Sequence, residues 1–151
     1  MILIAHRGNL QGPNPSKEND PAYIDLALKQ NINVEIDLRV KNKIPYLGHD
    51  YADFAISSEY LIDRQDFLWI HCKDASALTW ALERNLHCFW HDQDDYTITS
   101  KGFVWAYPGK EVASAKCISV MPETVWHLDE VRKNVDYGIC TDYVNFFRNE
   151  K

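Results

Sequence analysis

The feature that most constrains the fold is the segment of residues 34–40, VEIDLRV, in which apolar and charged residues alternate. Side chains two positions apart on a β-strand project to the same face, so the aliphatic residues share one face and the two carboxylates share the other. The aliphatic residues are Val34, Ile36, Leu38 and Val40. Glu35 and Asp37 stand about 7 Å apart along the strand and can close on one cation. On an exposed antiparallel sheet, the same two acids would simply form the solvated face.

Two apolar runs that end in histidine flank this segment. Residues 2–5 lead into His6 and Arg7, and residues 44–48 lead into His49. A divalent cation and a guanidinium neutralise phosphoryl oxygens, while two imidazoles with pKa values near neutrality serve as general base and general acid. Together with the acidic pair, these residues are the parts that metal-assisted phosphodiester cleavage needs.

These motifs resemble those of the glycerophosphodiester phosphodiesterases, within the PI-PLC-like phosphodiesterase superfamily. The matching segments are IAHRG at 4–8, EN at 18–19, VEID at 34–37, PYLGHD at 45–50, CK at 72–73 and GICTDY at 138–143. The first fifty residues match in order and spacing, whereas the remaining hundred match only in fragments. The resemblance implies a metal-dependent phosphodiester hydrolase that acts on a small glycerophosphodiester or on a sugar or polyol phosphodiester.

The resemblance also implies individual roles. His6 and His49 are the expected catalytic residues, one as general base and the other as general acid, in an order that the sequence leaves open. Arg7 and Lys73 are the expected phosphate-binding residues, because a planar guanidinium and an ammonium both suit a phosphate.

The expected metal site departs from the family pattern at one position. The similar enzymes carry a third carboxylate two residues before the lysine, whereas this chain has His71 before Lys73. Glu35, Asp37 and His71 are therefore the expected ligands. Glu18 is expected either to support these ligands or to be a ligand itself, and His71 is alternatively a phosphate ligand. We expect magnesium or calcium, with manganese or zinc as alternatives because imidazole suits a borderline transition metal. The departure also favours one rival, a catalytically degenerate barrel that binds a phosphorylated ligand without turnover.

Seven short apolar segments are candidate strands, namely 2–5, 34–40, 67–71, 86–90, 102–106, 116–120 and 137–140. Helical patterns at about 21–30 and 75–84 join the early strands, which predicts right-handed βαβ units. The links between the later strands from 90 to 116 lack a helical period. An eight-stranded α/β barrel needs about 250 residues. The 151 residues therefore predict one α/β domain, a truncated TIM-type (β/α) barrel with about seven strands and without helices in its C-terminal half.

Composition narrows the expected partners. The net charge is -6 and no basic run is present, which argues against nucleic acid or an anionic membrane as the main partner. The first apolar run has five residues, too few for a signal peptide or a membrane span. Four cysteines without CxxC spacing predict buried thiols in a reducing, cytoplasmic setting. An uncovered barrel side predicts a homodimer.

Overall fold

The structure is a computed structural model that describes residues 1–110, 112 and 116–149. The helices in this part of the chain are α1 (Pro21–Leu28), α2 (Ser58–Ile62), α3 (Ala75–Leu82), α4 (Leu128–Asn134) and α5 (Val144–Asn149), with a 3-10 turn at Pro122–Thr124. The strands are β1 (Ile2–His6), β2 (Asn33–Lys41), β3 (Ile44–Leu47), β4 (Phe54–Ala55), β5 (Leu68–Cys72), β6 (Cys88–Phe89), β7 (Tyr96–Ile98), β8 (Val104–Ala106), β9 (Cys117–Val120) and β10 (Gly138–Thr141).

The ten strands form one mixed sheet that curls into a half-barrel. Seven of them pair in parallel in the order β6-β5-β2-β1-β10-β9-β8. The other three add by antiparallel pairing, β3 to the end of β2, β4 to β3, and β7 to β8. The chain therefore combines a parallel centre with antiparallel additions at two places.

The prediction of a truncated TIM-type (β/α) barrel is wrong. Strands lie at all seven predicted positions, but helices do not alternate with strands as in that fold, and the sheet is mixed. Local turn chemistry explains one of the antiparallel additions, because Asn42 and Lys43 both have positive φ (51° and 65°) and such turns close tight hairpins. The C-terminal half also contains helices, α4 and α5, where the prediction had none.

Strand β2 lies at the centre of the sheet and is buried on both faces. It pairs with β1 on one side and with β5 on the other, and α1 and α3 pack against it. Ile36 and Leu38 are fully buried in the main hydrophobic cluster. Glu35 and Asp37 are only 2% and 0% exposed, so the alternative of a solvated acidic face is excluded.

Strand β7 is the last strand in the pairing order and leaves apolar side chains in solvent. Tyr96 is 44% exposed and Ile98 is 69% exposed. A homodimer through an uncovered side stays a prediction.

The four cysteines are all buried and free. Among the described residues, no helix has the length and apolar character that crossing a membrane requires.

We predict that Ile36→Ala lowers the free energy of unfolding by about 2–5 kcal/mol, because it removes buried methyl groups and leaves a cavity in the central strand. Ile98→Ala, on the exposed edge strand, is the matched control and should change stability by less than about 0.5 kcal/mol. Urea unfolding followed by circular dichroism measures both values. Equal costs for the two variants would contradict the placement of the core.

Candidate functional site

A cavity of about 360 Å³ lies at the carboxyl ends of the parallel strands. Six of the eight predicted site residues line it, namely His6, Arg7, Glu35, His49, His71 and Lys73. The other two, Asp37 and Glu18, form ion pairs with Arg7 in its wall. The sheet therefore gathers the eight side chains around one space.

Strand register explains why the side chains on β1, β2 and β5 meet. His6 on β1 is paired with Glu35 on β2, and Asp37 on β2 is paired with His71 on β5. Paired residues of neighbouring strands project to the same face. The acidic pair of β2 therefore lies between a histidine on one side and a histidine on the other.

His49 reaches the cavity through the hairpin of β2 and β3. The N–H of Gly48 donates to the carbonyl of Asp37 at 3.0 Å, and the guanidinium of Arg39 donates to the carbonyls of Gly48 and His49. Nδ1 of His49 lies 2.8 Å from Oδ1 of Asp50, and 41% of the His49 side chain is exposed. Hydrogen bonds to the backbone therefore fix the position of His49, while its imidazole lines the cavity and is partly exposed to solvent.

Asp37 carries the most deeply buried charge of the site. Its Oδ2 accepts a hydrogen bond from Asn19 at 2.9 Å and lies 2.9 Å from Nε of Arg7. Its Oδ1 lies 3.5 Å from Nδ1 of His71 and 3.7 Å from Nζ of Lys73, without a hydrogen-bond partner among the described residues. Burial alone would raise the pKa of Asp37, but the charges of Arg7 and Lys73 hold it below its usual value. Asp37 is therefore a carboxylate.

Glu35, Asp37 and His71 converge in a way that suits a divalent cation. One carboxylate oxygen from each acid and one ring nitrogen lie within 4.8 Å of one another. Nδ1 of His71 lies 3.7 Å from Oε1 of Glu35 and 3.5 Å from Oδ1 of Asp37, both longer than a hydrogen bond. A buried carboxylate oxygen without a partner is costly. Oδ1 of Asp37, which accepts no hydrogen bond from the described residues, and this set of donors therefore fit a metal ion.

Arg7 lies between the acidic pair and Glu18. Its Nη1 donates to Oε2 of Glu18 at 3.0 Å, and its backbone N–H donates to Oε2 of Glu35 at 3.3 Å. Burial would lower the pKa of Arg7, but the charges of Asp37 and Glu35 raise it. Arg7 therefore neutralises carboxylates of the site and also lines the cavity. Its ion pair with Glu18 helps to fix the position of the guanidinium.

A partly buried ion pair orients His6. Its Nδ1 lies 2.8 Å from Oδ1 of Asp142, and the side-chain amide of Asn9 donates to the same oxygen at 2.8 Å. Burial would lower the pKa of His6, but the hydrogen bond to Asp142 and the charge of Glu35 raise it. Burial would raise the pKa of Asp142, but the hydrogen bond to His6 lowers it. With Nδ1 engaged, Nε2 of His6 is the nitrogen that can act on a ligand.

Sequence reasoning missed three residues that position the site, namely Asn9, Asn19 and Asp142. The side chain of Asn19 donates to Oδ2 of Asp37 and accepts from the Asp37 N–H, both at 2.9 Å. Asn19 and Asp142 lie in segments that carry the family resemblance, which was the available signal. Asn9 lies in a loop rich in glycine and proline, where an asparagine is most often a turn residue.

A second cavity, of about 600 Å³, lies beside the first and shares Met121 with it. Its wall contains the acids Glu123, Glu130 and Asp142, and none of the described residues in this wall is a lysine or arginine. A phosphate needs positive charge or N–H donors. Of these two cavities, the smaller one, with Arg7 and Lys73 in its wall, is therefore the better candidate for binding an anion.

Comparisons of this chain with protein-family models, with curated proteins and with solved structures found no match.

We predict that Asp142→Asn destabilises the protein most in mildly acidic solution. The raised pKa of His6 contributes stability below its unfolded pKa, about 6.5, and this stability is lost as pH rises through the folded pKa. The lowered pKa of Asp142 contributes stability above about pH 3.9, lost as pH falls through the folded pKa. The variant should therefore cost about 1.5–3 kcal/mol near pH 5.5 and less at pH 8.5.

Denaturant unfolding at the two pH values, with chelator present, measures this difference. Asp50→Asn removes the partner of the exposed His49 and is the matched control, which should stay within about 1 kcal/mol of wild type. A cost for Asp142→Asn that is the same at both pH values would contradict the ion pair.

Proposed function

We propose that this protein is a metal-dependent phosphodiester hydrolase that acts on a small phosphodiester. The observation that carries the proposal is the shared cavity, whose wall holds acid, base and cationic side chains from distant parts of the chain. The motif similarity of residues 4–50 to glycerophosphodiester phosphodiesterases supports the same reaction. The half-barrel fold does not by itself support this function, because one fold hosts many different activities.

Two histidines supply the proton transfers. Hydrolysis of a phosphodiester needs a base that takes a proton from water or from a neighbouring hydroxyl, and an acid that protonates the departing alcohol. His6 and His49 both line the cavity. Asp142 and Asp50, respectively, engage the Nδ1 atoms of these histidines. A carboxylate on Nδ1 holds the ring in place and stabilises its protonated form.

The cationic side chains and a bound metal ion would neutralise the phosphoryl group. Lys73 and Arg7 offset negative charge in the cavity. Glu35, Asp37 and His71 are the residues that would hold the divalent cation, which when bound polarises a phosphoryl oxygen as a Lewis acid. A cavity of about 360 Å³ is at the small end of ligand sites and suits a small substrate such as a glycerophosphodiester or a sugar or polyol phosphodiester.

A second candidate function is binding of a phosphorylated ligand without turnover. The observation that favours it is the ion pairing of Arg7 with Glu18 and Asp37, at 3.0 and 2.9 Å, because carboxylates of the protein already neutralise this guanidinium. A pair of histidines held by carboxylates opposes it, because a binding protein has little use for two proton-transfer groups.

We predict metal-dependent turnover of bis-p-nitrophenyl phosphate and of glycerophosphocholine. Each substrate is incubated with the full chain and with magnesium, calcium, manganese or zinc, and release of nitrophenol or choline is measured. Chelator should abolish the activity, because the carboxylates then lack the cation that neutralises the phosphoryl oxygens. Binding of inorganic phosphate with no turnover under any metal would favour the second candidate function.

We predict that His6→Ala and His49→Ala each lower kcat by at least about a hundredfold, the usual scale for a positioned acid or base. His127→Ala is the matched control, because this exposed histidine lies outside the cavity wall. Circular dichroism checks that each variant folds. Near-normal turnover in both site variants would remove the assignment.

A further inference from the structure

The imidazole of His71 is held from two sides. Its Nε2 lies 2.8 Å from the carbonyl oxygen of His91. The ring of Phe89 stacks on it, with centroids 5.0 Å apart and planes at 17°. Phe89 packs in turn against Trp105, with centroids 4.5 Å apart, and both rings are buried. The His71 ring therefore has a defined plane and a defined direction.

The contact with His91 determines which nitrogen of His71 carries the proton. A carbonyl oxygen only accepts hydrogen bonds, so Nε2 is the protonated nitrogen. Nδ1 of the neutral ring then carries the lone pair, and it faces Oε1 of Glu35 and Oδ1 of Asp37. Three electron-pair donors that face one another repel unless a positive charge lies among them.

The spacing of these atoms fits a metal ion better than a shared proton. A charged N–H donor approaches a carboxylate oxygen to about 2.7–2.9 Å. Two ligands at about 2.0–2.1 Å from a tetrahedral ion lie about 3.3–3.4 Å apart. The separations from Nδ1 of His71 to Asp37 and Glu35 are 3.5 and 3.7 Å, nearer to the second arrangement.

We propose that His71 binds a divalent metal through Nδ1, together with Glu35 and Asp37, and that this imidazole shifts the preference of the site towards manganese or zinc. Magnesium and calcium take oxygen ligands, whereas imidazole suits zinc and its neighbours. The carbonyl of His91 and the ring of Phe89 are the positioning groups. The inference rests on the proposed function for the place of the metal and deepens it by naming the metal.

Lys73 is the competing occupant of the same space. Its Nζ lies 3.7 Å from Oδ1 of Asp37, so an ammonium group could neutralise the acids without a metal. The two arrangements make different predictions, because a site filled by Lys73 takes up no stoichiometric metal and is indifferent to the residue at position 71.

The test is isothermal titration of the chelator-stripped full chain with manganese, zinc, magnesium and calcium chlorides in separate experiments. Sites with nitrogen and oxygen ligands hold zinc more tightly than magnesium in general. The deciding quantity is therefore the ratio of manganese or zinc affinity to calcium affinity in wild type and in His71→Asp. We expect one equivalent of manganese or zinc in wild type and at least about a tenfold fall of the ratio in the variant.

His127→Ala is the matched control and should leave the ratio unchanged. No stoichiometric binding in wild type, or an unchanged ratio in His71→Asp, would overturn the proposal. Nitrogen-15 spectra of the histidine rings in wild type provide a second readout that needs no variant. Zinc should shift Nδ1 of His71 and leave Nε2 protonated, and coordination through Nε2 would also overturn the proposal.

Phe89→Leu tests the positioning role, because leucine keeps the burial but loses the stacked ring. Loss of a group that orients a metal ligand typically weakens metal affinity by 10- to 100-fold, and we expect about tenfold here. Phe146→Leu, in a separate cluster, is the control. Equal affinities of Phe89→Leu and wild type would overturn the positioning role.

These measurements separate the two proposals, because metal affinity does not depend on turnover. Metal binding with the expected ratio and no hydrolysis would overturn the proposed function and leave the metal assignment intact. Hydrolysis supported by magnesium or calcium, together with an affinity ratio that His71→Asp does not change, would overturn the metal assignment and leave the proposed function intact.

Discussion

The burial of two carboxylates in the central strand is the constraint on which the rest of the structure depends. Glu35 and Asp37 lie inside the sheet because the alternate residues of β2, among them Ile36 and Leu38, pack into the main core. A buried charge is tolerated only when it is paired or bound to a metal. The neighbouring elements therefore have to supply positive groups and hydrogen-bond donors, and Arg7 is the first of them.

The compensating groups are the same side chains that form the candidate site. Lys73 and His71 come from the end of β5, Arg7 follows β1, and all three line the cavity. These three side chains need only the parallel pairing of β1, β2 and β5, so their placement does not depend on a closed barrel. Stability and the chemistry of the site are therefore coupled, because the charges that neutralise the buried carboxylates of β2 also line the cavity.

Much of the local structure was predictable, whereas the way the sheet closes was not. Apolar runs mark strands at seven positions, and helical patterns mark α1 and α3, because these signals lie within a few residues. The pairing of β7 with β8 and the curl of the sheet depend on contacts between distant segments. A count of strands and of missing helices cannot distinguish a truncated (β/α) barrel from a mixed sheet, since both bury the same apolar runs.

By itself, the sequence determined the alternation in residues 34–40 and the histidines at the ends of apolar runs, and its resemblance to a family implied which side chains to expect at the site. Tertiary structure decided that the acidic face is buried, that Asp142 pairs with His6 across 136 positions of chain, and that Nδ1 of His71 faces the acids while Nε2 meets a carbonyl. The physical reason is that spacing along a chain is a local property. Burial, pKa and the choice of ring nitrogen depend on partners that only folding brings together.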